Sequence, residues 1–285
     1  MKLSLLFFAL LLTMRVSAQL VVGSSGVNVL AGTSLTVGGI TLTPSTTVAL
    51  VNNGIQRTST SLAGNSSINR LYQFKAPLLF SGKVGISYLP AELNGYKEST
   101  LQLAYAPSAN TNLTVTTSST VNLATHLVQN TLASQNLFVV TATALSDLTP
   151  TLYARPSLLY PNSPFSIVVD VEEINSVATQ GTFRVRVTKD PSITLTFEAG
   201  LTSINGRAVQ NSAWGFDDSD LNYYVLSTSQ SIAAENTLSF GLTGTLTGKA
   251  TSGVITVSST VLPINLLEAK MSNNMDADKV EYFQP

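Results

Sequence analysis

The chain has 285 residues, of which only 11% are charged, with a formal charge of −1, a mean hydropathy of +0.25, no cysteine and one histidine. That balance offers no basic patch to nucleic acid or to an anionic membrane, so neither is expected as a partner. It also excludes disulfides and metal centres built from cysteine and histidine.

The N-terminal segment MKLSLLFFALLLTMRVSAQL places Lys2 ahead of an apolar run at 3–12 and ends on Val16-Ser17-Ala18. This is the layout of a secretory signal peptide over residues 1–18, with Gln19 as the mature start and a run too short for a membrane span. No cysteine follows it, which excludes a lipoprotein anchor. Removing it lowers the basic count from 15 to 13 against 16 acidic residues, a charge of −3, and leaves 267 residues. That length suits one large or two ordinary domains. No later stretch is apolar for long enough to span a bilayer, so a secreted or cell-surface location is expected.

Between Leu20 and Ile55 short apolar runs alternate with glycine and asparagine, predicting strands at 20–22, 27–30, 35–37, 40–42 and 47–51. Asn53-Gly54 is a hairpin signal, and the irregular spacing argues against a β-helix. Further strands are predicted at 69–75, 83–89, 101–106, 113–117 and 137–143, with one short helical turn around 124–129. The stretch at 145–150 then reads as a short linker, dividing a β domain at 19–144 from a second at 145–285. In FSIVVDVEE, Phe165, Ile167, Val169 and Val171 share one face; in TFRVRVT, Phe183, Val185 and Val187 do, with Arg184 and Arg186 outward. A period of two marks half-buried strands. These two pair as antiparallel neighbours or sit close in a sandwich. The threonine and asparagine on the strands leave their edges poorly defended against another chain.

Candidate site residues are few. Asp217, Asp218 and Asp220 in GFDDSDLN, and Asp276 and Asp278 in NNMDADK, offer oxygen ligands that calcium would suit. Neither run has EF-hand spacing, and the competing reading is turns closed by their own hydrogen bonds. Trp214, with Phe216, Tyr223 and Tyr224, could form a sugar-stacking platform, or the tryptophan could fill the core. His126 lacks a nucleophile elbow anywhere in the chain and reads as structural. GTLTGKAT at 244–251 is one residue short of a phosphate loop and reads as a hairpin turn. A carboxylate pair of a small hydrolase would converge only in the fold.

Two resemblances add to these readings. LTPSTTVALVNNGI and SGKVGISYLPAELNGYKESTLQLAYA, with the turn Ala91-Glu92-Leu93-Asn94-Gly95, resemble the N-terminal β-region of large exported surface proteins of Bacteroidota. Trp214, the run at 223–225, the loop at 233–236 and Asn273-Asn274 resemble the Ig-like conserved-repeat domain of bacterial cell-surface proteins, which implies a structural or adhesive module. The fold expected is all-β, with two β-sandwich-like domains, the C-terminal one Ig-like. The function expected is non-covalent contact with a protein or surface matrix, with no enzymatic activity and no cofactor other than calcium. The alternatives are a carbohydrate-binding module and, third, a small secreted hydrolase.

Overall fold

The computed structural model describes residues 19–62, 67–109, 112–246 and 252–283; the signal segment at 1–18 lies outside the described residues. Strands dominate, joined by turns and a few single 3-10 turns.

The first half opens with six short strands, cut by glycine and asparagine turns: β1 (Gln19–Val21), β2 (Val27–Val29), β3 (Leu35–Val37), β4 (Ile40–Pro44), β5 (Val48–Leu50) and β6 (Gly54–Thr58). Two long strands, β7 (Leu71–Ser87) and β11 (Leu127–Ala144), form the spine, with β8 (Leu101–Ala106), β9 (Thr114–Val115) and β10 (Thr120–Asn122) between them in sequence. The path β1-β6-β7-β11-β8-β9 makes one sheet, to which β4 joins through β7, β3 through β4 and β10 through β11. Register shifts between β7 and β11 mark bulges, which bend both strands over a core of Tyr72, Phe74, Phe80, Ile86, Leu103 and Val140. The pairing β2–β5 is a separate two-stranded ribbon.

Three details differ from the sequence reading. The strands at 69–75 and 83–89 are one strand, β7, which passes Gly82 at φ 137°, where a Cβ would collide with the Thr43 carbonyl. Asn53-Gly54 makes no hairpin, because β5 pairs with β2 while β6 pairs with β1 and β7. Asn53 instead acts as a stand-in peptide group: its Nδ2 donates to the Ala76 carbonyl and its Oδ1 accepts from the Ala76 N–H, both at 3.0 Å. The turn around 124–129 is not helical. Asn122 Oδ1 accepts from the Ala124 and Thr125 N–H groups, closing the β10–β11 hairpin, and β11 begins at once.

The second half contains β12 (Leu148–Arg155), β13 (Leu158–Leu159), β14 (Pro164–Glu173), β15 (Phe183–Thr188), β16 (Ile193–Thr196), β17 (Ser203–Ile204), β18 (Arg207–Ala208), β19 (Gly215–Asp217), β20 (Tyr223–Thr228), β21 (Thr237–Leu246), β22 (Gly253–Pro263) and β23 (Met275–Tyr282). A four-stranded sheet β12-β14-β21-β16 faces a six-stranded sheet β13-β23-β22-β15-β20-β19, forming an Ig-like β-sandwich. The alternating sets on β14 and β15 therefore meet across the sandwich rather than as paired neighbours. Phe165, Ile167, Val169 and Val171 pack against a core shared with Phe183, Val185 and Val187. Each such burial contributes roughly 1.5–3 kcal/mol. The outer face of β14 is covered as well: the hairpin β17–β18 lays Ile204 and Val209 on Val168. β21 and β22 belong to different sheets, so the stretch at 244–251 is a crossover and not a hairpin; its residues 247–251 lie outside the described residues.

The stretch at 145–150 is short and held by hydrogen bonds. Leu145, Ser146, Asp147 and Leu148 are all buried. Glu173 accepts from the Asp147 N–H at 3.3 Å, Glu268 accepts from the Leu148 N–H at 2.7 Å, and the Ala269 N–H bonds to the Ser146 carbonyl. The cores on either side share no residue.

Candidate functional site

Strand β12 is an edge, and the side chains that face its outer rim include two of the aspartates read as calcium ligands. Along that rim, alternate residues present their N–H groups away from β14. The Leu148 N–H goes to Glu268, Pro150 has none, the Leu152 N–H goes to Asp276 Oδ2 at 2.7 Å, and the Ala154 N–H goes to Asp278 Oδ2 at 3.1 Å. Three carboxylates and one proline thus close the edge, tying β12 to β23 of the opposite sheet. Burial raises the Asp278 carboxyl, but the N–H groups of Ala154 and Lys279 and the Arg155 guanidinium outweigh it and hold it below the usual range. Glu268 goes the other way, because burial raises it more than its bonds from Asn274 and Leu148 lower it.

The opposite edge of the same sheet, β16, is closed by Tyr224, whose hydroxyl accepts from the Leu195 N–H at 3.1 Å. Phe197, Phe216 and Tyr224 stack in turn across the gap between β16 and β19, with centroids 5.1 and 6.0 Å apart. Trp214 lies inside the core, 4% exposed, edge-on to Phe183 and Phe240, with its indole N–H on the Ser239 carbonyl. Tyr223 is half-buried under the Arg186 guanidinium. The structure therefore brings Trp214 and Tyr224 into the packing and leaves Tyr223 on the outer face.

The loop carrying Asp217, Asp218 and Asp220 is held by local bonds. Asp217 Oδ1 accepts from the Ser219 N–H, Asp220 Oδ1 accepts from Asn222 and Tyr223, and Lys189 Nζ donates to the carbonyls of Asp218 and Asp220. Asp276 and Asp278 lie on β23, outside this loop, and among the described residues no group of three or more acidic or histidine side chains is arranged to hold a metal. His126, at φ 49°, sets its Nδ1 2.6 Å from Glu98 Oε1, which also accepts the Tyr88 hydroxyl proton. The histidine bond is the main cause holding Glu98 below its usual range, while burial and then Glu98 raise Tyr88.

Sequence reasoning missed Glu268, Leu195 and an open groove of about 540 Å³ where β12 ends, between the turn at Tyr160–Ser163 and the β17–β18 hairpin. The edge caps did leave a signal. Acids two apart on a strand share a face, and Pro150 inside an alternating run marks an edge.

No protein-family model matches the chain, and no curated protein matches it. Solved structures do resemble it. The CARDB domain of a Pyrococcus furiosus protein is 17% identical, with 50% of this chain and 96% of that one covered and a TM-score of 0.32. The full-length major pilin SpaD of Corynebacterium diphtheriae is 9% identical over 72% of this chain and 58% of that one, with a TM-score of 0.34. BcpA, the major pilin subunit of Bacillus cereus, is 8% identical over 94% and 69%, with a TM-score of 0.36. Similarities this weak carry no functional conclusion.

Proposed function

We propose that the mature chain, beginning at Gln19, is a secreted or cell-surface protein that acts by non-covalent contact with a protein or surface-matrix partner, and not by catalysis. The observation that carries this reading is the outer rim of β1. Among the described residues β1 pairs with β6 alone, and the Val22 N–H bond to Asn53 fixes which groups face inward. By alternation the main-chain groups of Val21 face outward. Val21 is itself 67% exposed, and Val51, next to the Asn52 N–H that bonds to the Gly23 carbonyl just after β1, is 50% exposed. An unpaired edge flanked by apolar side chains is what strand addition uses, with main-chain bonds supplying affinity and side chains selecting the partner. The four-stranded sheet, with both edges capped, offers no such rim.

Retention of the mature chain on the surface of cells that make it tests the reading. Val21→Pro removes the outward donor without touching the ladder to β6, and Val21→Lys adds charge to the rim. Both variants should remain folded and lose retention. Retention unchanged in both would refute the contact, and secreted material beginning at Met1 would refute export through residues 1–18.

A further inference from the structure

An open groove lies at the end of β12. Its floor is the start of β14 and the part of β21 towards its end, at Thr243 and Gly244. One wall is the β17–β18 hairpin, held in place by Ile204 seated over Gly241, where no Cβ would fit, and by the bond from Asn205 Nδ2 to Ser166 Oγ at 2.8 Å. Arg207 clamps the same hairpin, pairing with Asp170 and lying over the Tyr153 ring. The other wall is the turn from Leu158 to Ser163. The volume, about 540 Å³, falls in the range of small-molecule sites.

Three features of the lining narrow the ligand. Arg155 is its single charged side chain, and its Nη1 donates to Asp278 at 2.9 Å and to the Ala154 carbonyl at 2.6 Å. The ion pair with Asp278 offsets that charge, so the lining favours a neutral ligand over a charged one. The polar side chains are hydroxyls and an amide, from Ser163, Ser203, Asn205 and Thr243; Asn205 keeps its Oδ1 as an acceptor beside the bond to Ser166, and Ser163 keeps its hydroxyl proton as a donor beside the bond from the Tyr160 N–H. At the mouth, Tyr160 is 52% exposed, with the Phe283 ring edge-on to it at 6.5 Å, so aromatic surface is available to a ligand. The main chain, by contrast, has little to give: Phe165 and Ser166 are laddered to Gly244 and Thr243, and Ser166 also to Arg155. On the floor, therefore, β14 offers an extended peptide no unpaired edge.

We infer that this groove binds a neutral oligosaccharide, with one pyranose ring stacked on Tyr160 and its hydroxyl groups bonded to the serine, asparagine and threonine side chains of the walls. The site is separate from the β1 rim and is distinct from the Trp214 region.

The test is titration of the mature chain with neutral tetrasaccharides (cellotetraose, maltotetraose, mannotetraose and chitotetraose), read by calorimetry and saturation-transfer NMR. Tetragalacturonate and an uncharged serine-threonine octapeptide are the comparison probes. At least one neutral sugar should bind. Tyr160→Ala should weaken it about tenfold, the order of one lost aromatic contact, Tyr160→Phe should retain it, and Asn205→Ala should weaken it. Val21→Pro should leave it unchanged, which separates this site from the surface contact. Melting curves matching the parent show that each variant is folded. Absence of binding by every neutral sugar, preference for the acidic sugar or the peptide, or binding indifferent to Tyr160→Ala would overturn the inference.

Discussion

Replacing Asp276 by alanine strips the acceptor from the Leu152 N–H, on a residue that is itself buried, 2.7 Å from the carboxylate. Water cannot readily take over that bond. A hydrogen bond to a charged acceptor is worth roughly 1.5–3 kcal/mol, and leaving a buried donor unpaired costs about as much. Asp278→Ala frees the Ala154 N–H and also releases Arg155, so the double variant should lose about 3–5 kcal/mol, less than a strict sum if the two acids share one rigid edge. Uncapping also exposes a row of donors on β12, so the double variant should self-associate where the parent does not. Urea unfolding followed by the fluorescence of Trp214, which lies in the same sandwich core, reads the first effect. Sedimentation reads the second. A loss below about 0.5 kcal/mol, with a monomeric variant, would refute the edge-cap assignment. Calcium stabilising the parent but not the variant would refute it differently, by making these aspartates metal ligands.

Three further outcomes follow from the same structure. Glu92, buried and bonded to Arg70 at 2.7 Å and Arg57 at 2.9 Å, should cost about 3–5 kcal/mol when changed to glutamine, since the buried Arg70 would keep its bonds to Gly38 and Tyr72 but lose its counter-charge; equilibrium unfolding measures it. Burial raises Asp147 and Glu268, so the folded state binds their protons more tightly than the unfolded state does. Stability should therefore rise as pH falls from above their folded values toward the ordinary carboxylate range, and Glu268→Gln should flatten that rise. At lower pH the lowered groups Glu92, Glu98 and Asp278 reverse the trend, their contribution being lost as each protonates. Finally, if 19–144 and 145–285 are separate domains, urea transitions followed by Trp214 fluorescence and by far-ultraviolet circular dichroism should not coincide; coincident curves would argue for one cooperative unit.

The all-β architecture was legible because period-two alternation survives wherever one sheet face is buried, as in β14 and β15. What alternation cannot show is which strands share a sheet. For β14 and β15 it left open pairing or facing across a sandwich, and they belong to opposite sheets; β21 and β22 read as a hairpin and are likewise divided. The site residues were harder for a related reason. Asp276, Asp278 and Tyr224 carry polar atoms suited to ligands, yet each finds its partner on a strand distant in sequence: Leu152, Ala154 and Leu195. Composition marks such atoms as available; only the folded sandwich shows them spent on its own edges. The groove beside Tyr160 was invisible because its walls come from three segments with no shared motif.

A photo-crosslinker placed at Val21, compared with one at Arg184 on the outer face of β15, tests the contact reading most directly on cells that make the protein. Arg184 is exposed on a strand paired on both sides, by β20 and β22, and so offers a face without an edge. The account predicts a protein adduct from Val21 that is absent from Arg184. An adduct from Arg184 alone, or none from either position, would contradict it.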